Sequence, residues 1–443
     1  MSSNSINGKG ININGNDNDI NNFNLVKNIK DIGDSPFKKC FQCGTCSAIC
    51  PLSSDNKPFP RKEMIWSQWG LKNELESDLD PWLCYYCGKC SEFCPRKADP
   101  GQLMMSLRRW LTTVYDWTGI SRLLYKSKVA EYIALLIVAV VVFIEWAALF
   151  GLTPPAGSAN ANIGGNAAVM GSAGGVNKIL TINQMVPAYK IDYFFDYPMI
   201  VILSALLISF IFNMFKKTVL SDKSIKIPFK LYFTELWTLL FNFFTQIRFS
   251  KCEDEETQKE TFFKKLSEGK YNFWFTHVFL MTSYVALFIG IVVFLKWFQT
   301  DDKYVLFHTI LFDYYASIGL IFGTIYFAYK RFTKKIERSK FSHHTDWAFI
   351  VLLFMTAFTG ILLRAFVVYK DPSSWVFYLY LIHLMIVIPM LVIEVPFSKW
   401  SHLAYRPIAI YFSALKEKAV KLNEAEAGTG VADSAAAAAD DNL

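Results

Sequence analysis

Two copies of one four-cysteine run constrain this chain more than any other feature of its sequence. The first run is Cys40-x2-Cys43-x2-Cys46-x3-Cys50-Pro51, and the second, 44 residues further on, is Cys84-x2-Cys87-x2-Cys90-x3-Cys94-Pro95. This spacing is typical of proteins that bind [4Fe–4S] clusters. Zinc ribbons need only separated Cys-x2-Cys pairs, and the closely spaced thiols of a run do not bridge one another comfortably as disulfides. The runs therefore predict cluster ligation ahead of zinc binding or structural thiols.

The ligands of the two clusters are expected to cross between the runs, because the fourth cysteine of each run reaches the other cluster in two-cluster ferredoxins. The first predicted cluster has the ligands Cys40, Cys43, Cys46 and Cys94. The second has the ligands Cys84, Cys87, Cys90 and Cys50. The remaining cysteine, Cys252, stands alone in a charged segment and has no predicted role.

The composition indicates a membrane protein. Of the 443 residues, 53% are hydrophobic and 16% aromatic, and the mean hydropathy is +0.25, which is too apolar for an ordinary soluble surface. The net charge of +7 is modest, and no basic run is interleaved with aromatic residues, so nucleic acid is not an expected partner.

About 20 apolar residues cross a bilayer as a helix. We predict six such spans, over residues 129–151, 198–215, 273–298, 304–329, 347–369 and 375–395. Residues 228–249 are rich in Phe, Leu and Trp but also contain Glu235 and Gln246, which favours an interfacial amphipathic helix over a seventh span. The predicted fold class is mainly α: an α-helical two-cluster ferredoxin domain followed by a six-span cytochrome b bundle.

The predicted domains follow the same division. Residues 1–34 and 416–443 are expected to be disordered, 35–128 to form the ferredoxin domain, and 129–415 to form the membrane domain with a loop at 216–271. Within the ferredoxin domain, apolar periodicity predicts helices over 61–76 and 102–112.

The distribution of positive charge predicts the orientation. Residues 216–270 contain eleven Lys and Arg and residues 330–340 contain six, whereas 152–197 contain only Lys178 and Lys190. Basic loops face the cytosol. We therefore expect a multi-pass protein of the cytoplasmic membrane, with both termini and the cysteine runs in the cytosol.

All the histidines lie at or near span ends: His277, His308, His343, His344, His383 and His402. Two neutral imidazoles per iron hold a haem b in electron-transfer cytochromes, and ionisable groups at membrane depth are functional candidates. Matching depths predict an outer haem on His308 and His383 and an inner haem on His277 and His402. His383 and His402 are 19 residues apart, about 28 Å if the path is fully helical, which suits one haem per leaflet.

Alternatives remain open at these positions. A histidine at a span end can simply be a polar residue at headgroup level. His343 and His344 could replace His277 as ligands, anchor the interface or contact a haem propionate. Asp313 and Arg364 are the candidates for a quinone site, because such a site needs a proton-transferring group near a haem; the catalytic residues are otherwise unknown.

Two stretches carry a family resemblance. Tyr380-Leu-Ile-His383-Leu, followed by Pro396-Phe-Ser-Lys-Trp-Ser-His402-Leu-Ala-Tyr-Arg406, resembles the last haem-bearing span of the nitrate reductase gamma subunit family. The cysteine runs, with Trp82-Leu-Cys84-Tyr-Tyr-Cys87-Gly-Lys-Cys90, resemble the C subunit of heterodisulfide reductase. Fused in this order over about residues 35–415, the two resemble the family of C subunits of the quinone-interacting membrane-bound oxidoreductase of sulfate reducers. One departure is Leu287, where the nitrate reductase subunit has a second histidine.

The resemblance implies electron transfer between menaquinone, two haems b, two [4Fe–4S] clusters and flavin- and iron–sulfur-containing partners related to heterodisulfide reductase A. It also implies a role in sulfate respiration, serving adenylylsulfate reductase. The residues themselves contain no Gly-x-Gly-x-x-Gly after a predicted strand, so the chemistry at the soluble end is expected on partner subunits. The alternatives are the membrane subunit of another quinone-linked heterodisulfide reductase-type complex, and a transporter or scaffold with a zinc domain.

Overall fold

The structure, a computed structural model, describes residues 17–33, 35–155, 182–223, 225–247, 272–298, 303–334, 337–369 and 374–440. Cys252 lies outside these residues. Within them every regular element is a helix, and β-structure is limited to an isolated bridge between Ser54 and Lys57. The predicted mainly α fold class is therefore confirmed.

An N-terminal domain of short helices contains both cysteine runs. Its helices are α1 (Asp17–Gly33), α2 (Thr45–Ile49), α3 (Arg61–Trp69), α4 (Lys72–Ser77), α5 (Asp80–Leu83), α6 (Lys89–Glu92), α7 (Pro100–Tyr115) and α8 (Ile120–Lys126). Helix α7 is central, with 14 of its 16 residues buried. It begins at a proline, and the Asp99 carboxylate accepts from the backbone N of Gln102 at 3.0 Å, which satisfies a free amide of its first turn.

Helix α1 corrects the expectation of a disordered segment up to residue 34. Leu25, Ile29 and Ile32 recur at helical spacing, and all three are buried against the domain core. At the end of α1 the Gln102 side-chain amide donates to the carbonyl of Gly33 at 2.9 Å. The polar composition of this segment hid a narrow apolar stripe that is buried only because α7 provides a surface for it.

The helix predicted over 61–76 is divided in two. Gly70 has a φ of 71°, ends α3 and is followed by α4. A left-handed residue of this kind is a common helix terminator, and glycine adopts it without steric cost. Because the helix ends here, Trp69 is 69% exposed instead of joining the core beside the buried Met64.

In the part of the chain that the structure describes, six helices are long and apolar enough to cross a membrane, as predicted. The spans are Lys128–Phe150 (α9), Ala188–Leu220 (α11, after the short α10, Ile182–Met185), Phe273–Phe294 within α14 (Asn272–Phe298), His308–Thr333 within α15 (Lys303–Thr333), His344–Phe366 within α17 (His344–Tyr369, after α16, Glu337–Lys340) and Trp375–Phe397 (α18). The second span begins ten residues before its predicted start at 198, because the helix runs unbroken from Ala188.

Small residues let α14 and α15 approach closely. A Cβ atom on Gly319 would lie 1.9 Å from the Ser283 hydroxyl oxygen, and one on Gly323 would lie 2.7 Å from the Leu280 Cδ1 atom. The two glycines are four residues apart and so share one face of α15, an arrangement that commonly brings membrane helices together. This pair of helices carries His277 and His308.

The ambiguous segment at 228–249 forms two short helices, α12 (Phe229–Thr234) and α13 (Leu236–Thr245). At 6 and 10 residues each is too short to cross a bilayer core. Phe233, Trp237 and Phe244 are exposed, whereas Glu235 is buried and pairs with Lys418 of the last helix. This two-sided character fits the predicted interfacial position.

The last helix, α19 (His402–Asp440), corrects the expectation that the chain is disordered from residue 416. Leu415 and Ala419 are buried, and the Lys416 ammonium lies 2.7 Å from the Asp222 carboxylate. The charged residues of this stretch resemble a solvated tail in sequence, but their partners come from distant parts of the chain.

The N-terminal domain covers one end of the bundle, which we call the domain end. There the Thr112 hydroxyl lies 3.3 Å from that of Ser401, and the Arg109 guanidinium lies 3.5 Å from the Asp346 carboxylate. The starts of α9, α14 and α17 lie at this end. We call the opposite end of the bundle the far end.

Candidate functional site

The two cysteine runs share one local backbone. In each run the residue before the second cysteine has a positive φ, 66° at Gln42 and 56° at Tyr86. In each, the glycine after the second cysteine also has a positive φ and caps a short helix, α2 or α6. The repeated turn bends each run so that its first three thiols can face a common point.

The second run converges with the last cysteine of the first. Cys50, Cys84, Cys87 and Cys90 line one small cavity. Burial raises the pKa of the Cys50 thiol to about 12, so a thiolate here requires a strongly cationic partner such as iron. These four residues are the set predicted for the second cluster, and their chemistry fits that group.

The first run is more exposed. Cys46 lies near Cys40 and Cys43, and burial raises its pKa to about 11, whereas Cys43 is exposed. The Sγ atom of Cys94 accepts from the backbone N of Ala98 at 3.3 Å, on the same side of the domain because α2 packs on α6. The fourth ligand of the first cluster stays a prediction.

His277 and His402 lie at the domain end and share two cavities. The larger, of about 220 Å³, extends between α7 of the N-terminal domain and α14, α15 and α17 of the bundle. The smaller lies against α13 and the first turns of α19. Both histidines line both cavities, so open space surrounds the pair on two sides.

Hydrogen bonds orient these two rings. The Nδ1 atom of His277 lies 2.5 Å from the side-chain oxygen of Gln246, and His402 Nδ1 lies 2.5 Å from the Lys399 carbonyl oxygen. A carbonyl oxygen only accepts, so Nδ1 carries the proton in both rings, and in His402 this leaves Nε2 as the metal-binding nitrogen. Burial lowers the pKa of His402 to about 3, which keeps the ring in the neutral form that binds metals.

His383 shows the same arrangement nearer the far end. Its Nδ1 atom lies 2.7 Å from the Thr359 hydroxyl, which donates its own proton to the Met355 carbonyl at 2.7 Å. The hydroxyl therefore accepts from Nδ1, and Nε2 is again available. Next to it, Gly360 leaves room: a Cβ atom there would lie 3.4 Å from the His383 ring.

The structure does not bring His308 to either shared cavity. Its side chain is exposed on α15, one residue before Thr309, whose hydroxyl accepts from Arg364 at 2.7 Å. The two quinone-site candidates form an ion pair in this region, with 2.5 Å between Arg364 Nε and Asp313 Oδ2. The pairing of His308 with His383 around one haem remains a prediction.

His343 and His344 lie at the domain end but line neither shared cavity. Their ring centroids are 3.9 Å apart, and His344 Nε2 lies 3.0 Å from the Leu124 carbonyl oxygen. A nitrogen that donates to a carbonyl is not available to a metal. The geometry therefore favours His277 over this pair as the partner of His402.

Sequence reasoning missed Tyr85 and Tyr86, which lie between Cys84 and Cys87. Both tyrosines line the cavity of the second cysteine set and also the large cavity that contains His277 and His402. Only their position between two ligands could have marked them. They form the wall between the two candidate sites.

Comparison with known proteins supports the N-terminal assignment. Residues 36–98 match the 4Fe–4S dicluster domain. A protein of Archaeoglobus profundus that is described as similar to the C subunit of heterodisulfide reductase is 35% identical over 111 residues, which are 24% of this chain. The chain spans 59% of the length of that curated relative. No solved structure matches the chain.

These findings support two [4Fe–4S] clusters in the N-terminal domain and a place for the chain in an oxidoreductase complex. Six apolar helices indicate a multi-pass membrane protein. Together they fit a membrane electron-transfer subunit.

Proposed function

We propose that this chain passes electrons between a membrane quinone pool and flavin- and iron–sulfur-containing partner subunits, through two haems b and two [4Fe–4S] clusters. Its cluster ligands are the two crossed sets of four cysteines. Its haem ligands are His277 with His402 at the domain end, and His308 with His383 towards the far end.

One observation carries the proposal. Tyr85 and Tyr86 separate the cavity of Cys50, Cys84, Cys87 and Cys90 from the cavity of His277 and His402. A cluster and a haem held by these residues would be neighbours across a single aromatic wall. That adjacency has no evident use in a zinc-binding scaffold, whereas an electron-transfer chain requires it.

The residues at the domain end fit a haem b, which when bound supplies reversible one-electron transfer. His277 and His402 each have Nδ1 held by an oxygen acceptor, which is the tautomer in which Nε2 would bind the iron. Aromatic and aliphatic side chains, including Phe273, Tyr284 and Phe327, line the cavity around them. Burial among such side chains is one of the means by which proteins tune a haem.

The far end is the proposed quinone site. In the partly buried Asp313–Arg364 pair, Asp313 is five residues after His308 on α15 and Arg364 is on α17. A carboxylate and a guanidinium in contact can hold the polar head of a quinone and exchange its proton. Menaquinone is the quinone that the family resemblance implies.

The first cysteine run offers a docking surface for a partner. Cys43 is exposed, and three large side chains near this run are exposed as well: Phe41 at 58%, Trp69 at 69% and Phe93 at 56%. Exposed aromatic side chains of this kind are enriched in protein interfaces. A subunit bound here would receive or deliver electrons at the first cluster.

The identity of that partner is the most specific part of the proposal. The curated relative is named for its similarity to the C subunit of heterodisulfide reductase. On this basis and on the family resemblance, we propose a heterodisulfide reductase A-like flavoprotein as the partner, with adenylylsulfate reductase as the enzyme served in sulfate respiration. Another quinone-linked heterodisulfide reductase-type complex is the alternative, and the proteins that co-purify with the chain distinguish the two.

The test is an optical and metal analysis of the protein purified without oxygen. We expect about eight non-haem iron atoms and two haems per chain, a Soret band that shifts on reduction by dithionite, and broad visible absorbance from the clusters. Menaquinol should reduce the haems. Colourless protein that contains zinc would refute the proposal and favour a transporter or scaffold.

A further inference from the structure

The large cavity at the domain end has an unusual charge. Among the described residues, its lining contains one acidic residue, Asp346, and six basic residues from four different parts of the chain: Arg108, Arg109, Lys330, Arg331, Lys399 and Arg406. Buried charges are normally paired, because an unpaired ion loses its hydration without compensation. An excess of cations among the described lining residues therefore indicates an anionic ligand.

Three of these cations converge on a single carboxylate. Asp346 lies 2.7 Å from Lys399, 3.3 Å from Arg331 and 3.5 Å from Arg109. The side chain of Asp346 is 3% exposed, so solvent does not balance the charge. One negative charge faces three positive charges.

Arg109 is the clearest member of this group. It is 5% exposed, and its Nε and Nη1 atoms have no hydrogen-bond partner, although they line the cavity. Its neighbour Arg108 is already engaged, donating to the carbonyls of Pro81 and Cys84. A buried guanidinium with two unused donors is suited to a carboxylate or phosphate, which it binds in a bidentate manner.

We propose that Arg109, with Lys399 and Arg331, binds the two propionate carboxylates of the haem held by His277 and His402. The proposal rests on the haem assignment made above. The cations and both histidines line the same cavity, and a haem b carries its two carboxylates on one edge. These residues would fix which edge of the haem faces the cluster domain, a role that the axial ligands alone do not specify.

The experiment compares two forms of the cofactor. The full-length chain is produced without haem, and is then titrated in detergent with haem b and with its dimethyl ester, which lacks the negative charges. For the variant Arg109→Met, haem affinity should fall about tenfold or more, whereas affinity for the ester should change less than about twofold. Arg122→Met, on the exposed face of α8, is the matched control and should change neither.

The outcomes separate the possible roles. Equal losses with both cofactors would mean that Arg109 only supports the fold, and no loss with either would mean that it does not touch the haem; each would overturn the proposal. Cluster absorbance reports whether the variant has folded. If Arg109→Met does not fold, Lys399→Met should show the same dependence on the free carboxylates, and equal losses there would also refute the proposal.

A free anion is the other source of the same chemistry. If the cations bind inorganic phosphate instead, added phosphate should stabilise the wild-type protein but not Arg109→Met. The substitution should then change the affinity for haem b and the affinity for its dimethyl ester equally. That result would overturn the assignment to haem. Failure of the wild type to bind either cofactor would instead refute the proposed function.

Discussion

The two ends of the membrane bundle differ in how their histidines are held. At the domain end, His277 and His402 share two cavities, and acceptors on Gln246 and Lys399 orient their rings. Towards the far end, His383 is oriented by Thr359, but His308 is exposed on another helix. The described residues place the first pair on common cavities, whereas the second pair stays a set of candidates along the bundle.

The difference follows from what covers each end. At the domain end, α7, α13 and the turn before α19 enclose the helix ends and supply acceptors and charges from distant parts of the chain. At the far end, Arg364 contacts Thr309 and Asp313, and all three residues belong to the spans. The cavities at the domain end are therefore lined by the covering elements as well as by the spans.

The largest expected effect is the loss of one haem. His402→Ala removes a predicted axial ligand, so the haem content should fall from two to one per chain while both clusters remain. Haem extraction measured against protein, with iron–sulfur absorbance, checks this. His344→Ala, whose ring contacts the Leu124 carbonyl, should keep both haems. Retention of both haems in His402→Ala would place the domain-end haem elsewhere.

Replacing Cys50 tests the proposed electron transfer between the cluster of the second run and the domain-end haem. Cys50→Ala should remove the cluster of the second run, about four iron atoms, because this residue lies with Cys84, Cys87 and Cys90. The domain-end haem should remain but lose its neighbour, so that quinol still reduces the haem and no longer the first cluster. Low-temperature electron paramagnetic resonance measures both. Cys252→Ala is the control, and equal cluster loss in both variants would contradict the crossed ligand sets.

Substituting Gly319 tests whether the domain end and the far end both depend on the close packing of α14 against α15. Gly319→Ala places a Cβ atom 1.9 Å from the Ser283 hydroxyl, and overpacking of this kind costs about 1–3 kcal/mol. Thermal unfolding followed at the Soret band should show a lower Tm. Adding Ser283→Gly should restore much of the loss, whereas no rescue would mean that the helices do not meet here.

Gln246 should have a smaller effect, confined to the domain end. Gln246→Ala removes the acceptor that orients His277, and losses of such outer partners typically weaken metal binding about tenfold. Haem retention during dilution measures this. Asn242→Ala is the matched control, because Asn242 lines the same cavity and its amide donates to the Thr238 carbonyl instead. Equal effects of the two substitutions would argue against orientation of His277.

The smallest effect concerns the covering domain itself. Burial raises the pKa of Glu63 well above its usual range, despite the Lys62 ammonium at 3.3 Å. An acid with a raised folded pKa stabilises the fold at low pH, and that contribution is lost as the pH rises through the folded pKa. Glu63→Gln should therefore flatten the decline in the free energy of unfolding towards alkaline pH. An unchanged pH profile in denaturant titrations would show that Lys62 already balances the carboxylate.

Features that depend on spacing along the chain could be predicted from the amino-acid sequence. The cysteine runs are local, so their cluster chemistry could be predicted from neighbouring residues alone. The six spans follow from length and apolarity, because the bilayer imposes both. The histidines were likewise visible as candidates because so few ionisable residues lie near the spans.

Which distant residues meet, by contrast, depends on the tertiary structure. The packing of α1 on α7, the burial of α19 beyond residue 415 and the cavities shared by His277 and His402 all require surfaces supplied by other elements. The cations around Asp346 come from α7, α15 and the turn before α19, positions separated by up to 290 residues. Hydrophobic periodicity and motif spacing are properties of a few turns of chain. The electrostatic effect of a buried charge, by contrast, depends on all the groups that surround it in space.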